Sequence, residues 1–386
     1  MYPRAYGKYV LLEHLAVGGM SEIDLARLRD EDGSFARFVA IKRIKSDKAD
    51  EPHTIRMFLD ETRITAELEH ANIAQVYGSG RTQDEYYIAL EYVPGIDVRM
   101  LVNEVRDRGH FIPMRVILRI VCDVLAGLHY AHQLCDSSGQ PMKIVHRDVN
   151  PRNIMVSVRG DVKLIDFGVA KAADRLERTR TDHVKGKFSY MAPEHMSGQD
   201  VDGRADLFSA ALTLHEMVSG KGLFSGLTHL QVMHRMMAGA LADTPSHPDL
   251  PDPTPLRVVQ RRALAFERVD RFRDCDAYRR ALEEVAKPLG GLATTTEVAE
   301  YIQRTDPSLS ERLSAMVERH SDLGVAWSFE PLPPDEEVEL LREPVTESMP
   351  KRSLLLPGIL ATVGAILLGT AVAVAIVAVV WWMQVN

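Results

Sequence analysis

Four short stretches of this sequence carry side chains suited to one kind of chemistry. His146-Arg147-Asp148-Val149-Asn150-Pro151-Arg152-Asn153 offers a carboxylate and carboxamides, and Asp166-Phe167-Gly168 adds a second carboxylate soon after. A carboxylate with an amide carbonyl is the hard oxygen set that Mg²⁺ prefers. Upstream, Lys42 ends the otherwise apolar run Val39-Ala40-Ile41-Lys42, where a cation wants a partner. Earlier still, Gly18-Gly19 sits inside Leu15-Ala16-Val17-Gly18-Gly19-Met20-Ser21-Glu22-Ile23. Glycines there let backbone amides approach phosphate oxygens with no Cβ in the way. Phosphoryl transfer needs a phosphate cradle, a cation, metal-holding oxygens and a group that orients the nucleophile. The chain holds a candidate for each, in a consistent order.

The elements that must position these groups are readable as patterns. Tyr9 to His14, Ile23 to Leu28 and Phe38 to Ile44 are short apolar, β-branched runs, broken by Gly18-Gly19 and by the hairpin signal Asp32-Gly33. A helical pattern follows with Phe58, Ile64 and Leu68 on one face, then strands are expected around Ile73 to Tyr77 and Tyr86 to Tyr92. Past Pro94-Gly95, Val116, Ile117, Ile120, Val121, Val124 and Leu128 recur at helical spacing. The expectation is a small β-rich lobe followed by a larger helical one.

On these motifs the stretch from Tyr9 to Ala286 resembles the protein-kinase family, specifically the eukaryotic-like (Hanks-type) Ser/Thr kinases of bacteria. The resemblance implies an α+β, bilobal fold that uses ATP with Mg²⁺ (or Mn²⁺). Leu15 to Ile23 resembles the family's Gly-rich loop, with only the middle glycine kept, as Gly18; Ala16 and Ser21 replace the outer two. Lys42 is implied to hold the α- and β-phosphates and Glu61 to hold Lys42. Asp148 is implied to accept a hydrogen bond from the substrate hydroxyl and take its proton late in transfer. Asn153 and Asp166 are implied to bind the metal. Leu90-Glu91-Tyr92-Val93 resembles the hinge that reads adenine through backbone hydrogen bonds, with Ala40 and Met155 around the ring. Ala192-Pro193-Glu194 resembles the motif whose glutamate pairs with a late arginine, here Arg271. Asp206 matches the aspartate that braces the catalytic loop.

Two positions depart from the family's pattern. Asn150 stands where the catalytic loop usually has lysine, and Lys187, in Gly186-Lys187-Phe188-Ser189-Tyr190, stands where Ser/Thr kinases usually have threonine. Lys187 is therefore expected to supply the missing cation from across the site. The alternative is that Lys187 is a solvated charge and Asn150 suffices as a neutral donor. Pro151 after Asn150 argues for Ser/Thr hydroxyls as acceptors. Thr179 and Thr181, among several arginines, are candidate phosphosites that Arg147 would bind; a polar loop with no switch is the alternative.

A net charge of −8 gives no support to nucleic-acid binding, and three scattered cysteines suggest neither disulfides nor zinc. The expected organisation is a kinase domain over 9–286, a helical juxtamembrane segment over 287–329, an acidic Pro-rich linker over 330–352 and a transmembrane helix over 354–382. A helix is expected from Asp306-Pro307, with Leu309, Leu313, Met316 and Val317 as its apolar stripe. The uncharged run from Leu354 to Trp382 exceeds the roughly 20 residues a span needs. Lys351-Arg352 ahead of it predicts a cytoplasmic kinase domain, and the resemblance to bacterial kinases implies the inner membrane. Ala361, Ala365, Gly369 and Ala373 repeat every four residues and would permit a homodimer through that helix. The reading is an active kinase on protein substrates. A membrane-anchored pseudokinase scaffold that binds ATP without efficient transfer, and a small-molecule phosphotransferase, are the competing readings.

Overall fold

The computed structural model describes residues 2–18, 21–29, 35–44, 52–83, 85–167, 188–237 and 246–321. The small lobe is a six-stranded antiparallel sheet of β1 (Arg4–Tyr6), β2 (Tyr9–Val17), β3 (Ser21–Arg29), β4 (Phe35–Ile44), β5 (Val76–Thr82) and β6 (Glu85–Glu91), in the order β1-β2-β3-β4-β6-β5. Strand alternation sorts its two faces. Val39 and Ile41 of β4 pack with Tyr6, Tyr9, Leu11 and Tyr87 on the outer face. Ala40 and Lys42, one residue out of step, therefore face the other way. On that inner side α1 (Pro52–Ala66) lays Phe58 against Ile44 and Ile88.

The large lobe gathers around α3 (Met114–Gln133) and α5 (Gly203–Ser219), after α2 (Val98–Asp107) and α4 (Pro193–Met196). α5 is buried on all sides from Ala205 to Val218, as its mostly apolar sequence dictates. Each fully buried Leu there contributes roughly 1.5–3 kcal/mol of transfer free energy. α6 (His229–Met237), α7 (Thr254–Ala263) and α8 (Cys275–Ala286) complete the helical layer. A small sheet of β7 (Gly95–Asp97), β8 (Ile154–Ser157) and β9 (Val162–Leu164) lies at its cleft edge, in the order β7-β8-β9.

The strand expected from Ile73 begins only at Val76. Ile73 instead makes one parallel bridge to Leu164, because Ala74 N–H donates to Leu164 O (2.9 Å) and Leu164 N–H to Asn72 O (2.9 Å). The segment is thus claimed by the large lobe. Packed structure also runs past the expected boundary near Ala286. α9 (Thr295–Thr305) buries Val298 and Ile302 in the large-lobe core, and α10 (Pro307–Ser321) follows. Gly160, at φ +87° in the β8–β9 turn, shows how close α9 comes: a Cβ there would meet Thr295 O at 2.0 Å. The Asp32-Gly33 turn, the acidic linker, the apolar run 354–382 and its small-residue repeat lie outside the described residues. Among those described, no helix is long and apolar enough to cross a membrane.

Candidate active site

Lys42 is the junction between the lobes. Its Nζ donates to Glu61 Oε1 at 2.6 Å and to Asp166 Oδ1 at 2.8 Å. Glu61 reaches it because it sits three residues after Phe58, on the helix face that packs on the sheet. Asp166 comes from the large lobe, just after β9. Burial alone would depress the Lys42 ammonium, but the charges of Asp166 and Glu61 overcome it and hold its pKa above the ordinary lysine range. The ammonium is therefore charged at any working pH. Two bonds to carboxylates leave it a third N–H.

The loop around Asp148 is folded by its own side chains. Asn150 caps the single 3-10 turn Pro151–Asn153: its Oδ1 accepts from Arg152 N–H (3.0 Å), and its Nδ2 donates to Asp148 O (2.8 Å). Asn150 thus spends its carbonyl and one N–H inside the loop, positioning the Asp148 backbone. Asn153 Nδ2 donates to Asp148 O (2.8 Å) and Oδ2 (3.3 Å), so its side-chain oxygen Oδ1 is the hard ligand a metal would take. Ile165 N–H donates to Asn153 O (3.0 Å), so the chain bearing Asp166 is laced to the chain bearing Asn153. Arg147 (φ +65°) and Asp166 (φ +56°) both occupy the left-handed region, uncommon for such residues. That strain sits beside the acidic groups and is carried by the surrounding bonds.

Asp206, fully buried at the start of α5, supplies one such set. It accepts from His146 N–H (2.7 Å), Arg147 N–H (2.8 Å) and His132 Nε2 (2.8 Å). Burial would raise its carboxyl, yet the His132 bond, the His132 and His146 charges and the His146 amide together bring its pKa below the usual range. Arg147 Nε is buried and has no hydrogen-bond partner among the described residues. Below this loop, Arg271 makes a bidentate pair with Glu194, both bonds 2.7 Å.

The hinge is tied to the large lobe. Glu91 N–H donates to Gln75 O (2.7 Å), and Val93 follows at the lobe junction. Lys163 of β9 donates to Glu91 Oε2 (2.8 Å), a link that sequence reasoning missed. Its only signal was a lone lysine between apolar neighbours in a strand. A second missed cluster joins Arg99 of α2 to Glu216 and Tyr190. Ala40 and Met155 stand half-buried on β4 and β8. At the cleft's lip Leu15 and Val17 are exposed and Ala16 pairs with Ile23. Gly18 N–H donates to Ser21 O (2.8 Å), closing the turn. Ile23 pairs with Lys42 and shares its face. Glu22 is turned away: its carboxylate binds Arg43, beside Asp24, on the sheet's outer face, one residue out of step with Lys42. Its side chain therefore has no place at a nucleotide. Gly19, Met20, Gly168, Thr179, Thr181 and Lys187 lie outside the described residues.

The model of the protein kinase domain matches residues 9–286. The chain belongs to the protein kinase family. It is 41% identical over 279 residues to the tyrosine-protein kinase MasK of Myxococcus xanthus, covering 72% of this chain and 43% of that protein. It is 36% identical over 238 residues to the serine/threonine-protein kinase PknB of Mycobacterium leprae (60% and 36%). It is 31% identical over 243 residues to the serine/threonine-protein kinase PrkC of Bacillus subtilis (63% and 35%). The chain spans less than half the length of each of these relatives. A crystal structure of the Mycobacterium tuberculosis PknI kinase domain superposes with a TM-score of 0.54 at 29% identity, over 74% of this chain and 98% of that one. The bilobal kinase fold follows, and protein kinase domains use ATP with Mg²⁺.

Proposed function

We propose that this kinase is an active enzyme that moves the γ-phosphoryl group of ATP to Ser/Thr hydroxyls of proteins while tethered to a membrane. The observation that carries the activity is Lys42 held between Glu61 and Asp166, with Asp148 and Asn153 interlocked beside them. A scaffold that only bound partners would have no physical need for this set.

In this reading Lys42 holds the α- and β-phosphate oxygens and Glu61 keeps it there. The Glu91 carbonyl and the Val93 backbone read adenine between Ala40 and Met155. Asp166 and the Asn153 side-chain oxygen would hold Mg²⁺, which would supply positive charge against the phosphates. Asp148 orients the acceptor hydroxyl. As its oxygen bonds to the γ-phosphorus, the bond to the β–γ bridging oxygen breaks, ADP leaves and the hydroxyl proton passes to Asp148. Lys187 supplies the cation that Asn150 does not; K187M is expected to lower turnover, and unchanged turnover would refute that role. The Nε of Arg147, without a hydrogen-bond partner among the described residues, supports capture of a phosphate on Thr179 or Thr181.

Ser/Thr acceptors are supported by PknB and PrkC and by Pro151. A tyrosine acceptor is the second reading, favoured by the likeness to MasK. Incubating the chain with labelled ATP–Mg²⁺ and a mixed protein acceptor, then resolving phosphoserine, phosphothreonine and phosphotyrosine, tests both. Label on serine or threonine supports the proposal, label on tyrosine alone supports the second reading, and no label refutes the activity. The tether is supported by the uncharged run Leu354 to Trp382 and its Lys351-Arg352 flank. Recovery of the full chain in carbonate-washed membranes is expected; a chain released by that wash would refute it.

A further inference from the structure

The helix that follows the kinase domain touches both lobes with one stripe of side chains. Leu309, Leu313 and Met316 of α10 are spaced i, i+4, i+7 and so share a face. Leu309 is buried in the large-lobe core. Leu313 packs against that core and also against a small-lobe cluster. Met316, 7% exposed, belongs to the small-lobe cluster itself, with Val10, Leu12 and Leu25, Phe38 and the hinge residue Tyr92. Tyr92 OH lies 3.8 Å from Met316 Sδ, and Arg319 lies 3.8 Å from Glu13 of β2.

The register shows which side of the sheet is engaged. Leu25 pairs with Ala40 as Ile23 pairs with Lys42, and pairs two apart along a strand share a face. Met316 therefore rests on the face that carries Ala40 and Lys42, at the hinge end of it. The base of the helix is anchored. Arg115 of α3 donates to Gly291 O (3.0 Å) and Glu297 Oε1 (2.8 Å), and Arg108 to Thr305 O (2.6 Å). Thr294 and Glu297 form a capping box that starts α9.

We propose that α10 is an internal brace that holds the small lobe at its closed angle over the large lobe, and so sets the affinity of the cleft for nucleotide. This rests on the nucleotide-binding reading above and deepens it. A cleft ligand that touches both lobes binds only the fraction of molecules with the lobes correctly set, and its apparent Kd rises as that fraction falls. A hydrophobic strut fixed at one end in the large lobe raises that fraction at no cost to the ligand.

The test measures binding of ATP–Mg²⁺ to the full chain by calorimetry, for the wild type, M316D and M316L. M316D places a charge in the small-lobe cluster and is expected to weaken binding at least about threefold. In turnover it is expected to raise KM for ATP with kcat little changed. M316L, which refills the site, is expected to bind as the wild type does. Should M316D not fold, M316A is read in its place, with an expected loss of about twofold. Equal binding by wild type and by the folded Met316 variant would overturn the brace while leaving the kinase reading intact. No binding by the wild type would overturn the nucleotide reading and the brace with it.

Discussion

Charged groups in the cleft and charged groups beneath the catalytic loop are arranged in opposite ways. Arg271 has five N–H donors and all five are spent: two on Glu194, the others on Ala265 O, Arg204 O and Phe266 O. Its guanidinium also lies over the Phe208 ring, and its side chain is fully buried. Nothing there can receive a ligand. Lys42 is nearly as buried, yet its two partners are carboxylates whose side chains remain 14% and 24% exposed at the cleft. A closed set of bonds builds a platform, whereas an open set presents charge to whatever enters. The difference separates residues that hold the fold from residues that act, although both are ion pairs of similar length.

Substitutions in the two regions should divide accordingly. D148N is expected to lower phosphoryl transfer by about 10²–10⁴-fold with an unchanged melting temperature, because only the proton acceptor is lost. R271M removes one partner of a buried pair and leaves Glu194 uncompensated, which costs about 3–5 kcal/mol. Denaturant unfolding should register it as a lower midpoint. K42M should lower kcat/KM for ATP about 10²–10³-fold, the scale of one lost electrostatic contact to developing charge. Should R271M instead damage turnover while leaving stability intact, the division would fail.

Smaller effects sharpen the boundary. G160A places a Cβ against the Thr295 carbonyl at a positive φ, so it should lower the melting temperature by a few degrees through loss of α9 docking, an effect on the order of 1–3 kcal/mol. The smallest is a pH dependence. The folded-state pKa of Asp206 is lowered, so the unfolded chain binds its proton first as pH falls. The stability it contributes is full above the unfolded carboxyl value, about 4, and is lost as pH falls through the lower folded value. Melting curves from pH 7 downward should show a shallower acid decline in D206N than in the wild type.

Much of the cleft was readable because its chemistry is written in contiguous motifs. Asp148, Asn153 and Asp166 fall in two short segments, and Lys42 announces itself as a charge in an apolar strand. What escaped depends on contacts between distant segments. Ile73 has strand-like neighbours but is captured by Leu164 of the other lobe. β1 and β7 are only three residues long, too short for a period to show. α9 has a mixed sequence whose start signal is a capping box rather than an apolar run. Glu22 was read as one residue of the Gly-rich segment, and pleating sends its side chain to Arg43 on the outer face.

The most direct test is a crystal structure of the chain with a non-hydrolysable ATP analogue and Mg²⁺. The Lys42 ammonium should lie on the α- and β-phosphates, with Asp166 and the Asn153 side-chain oxygen on the metal and Asp148 facing the γ-phosphate. Phosphates bound elsewhere, with Lys42 still engaged only by Glu61 and Asp166, would contradict it.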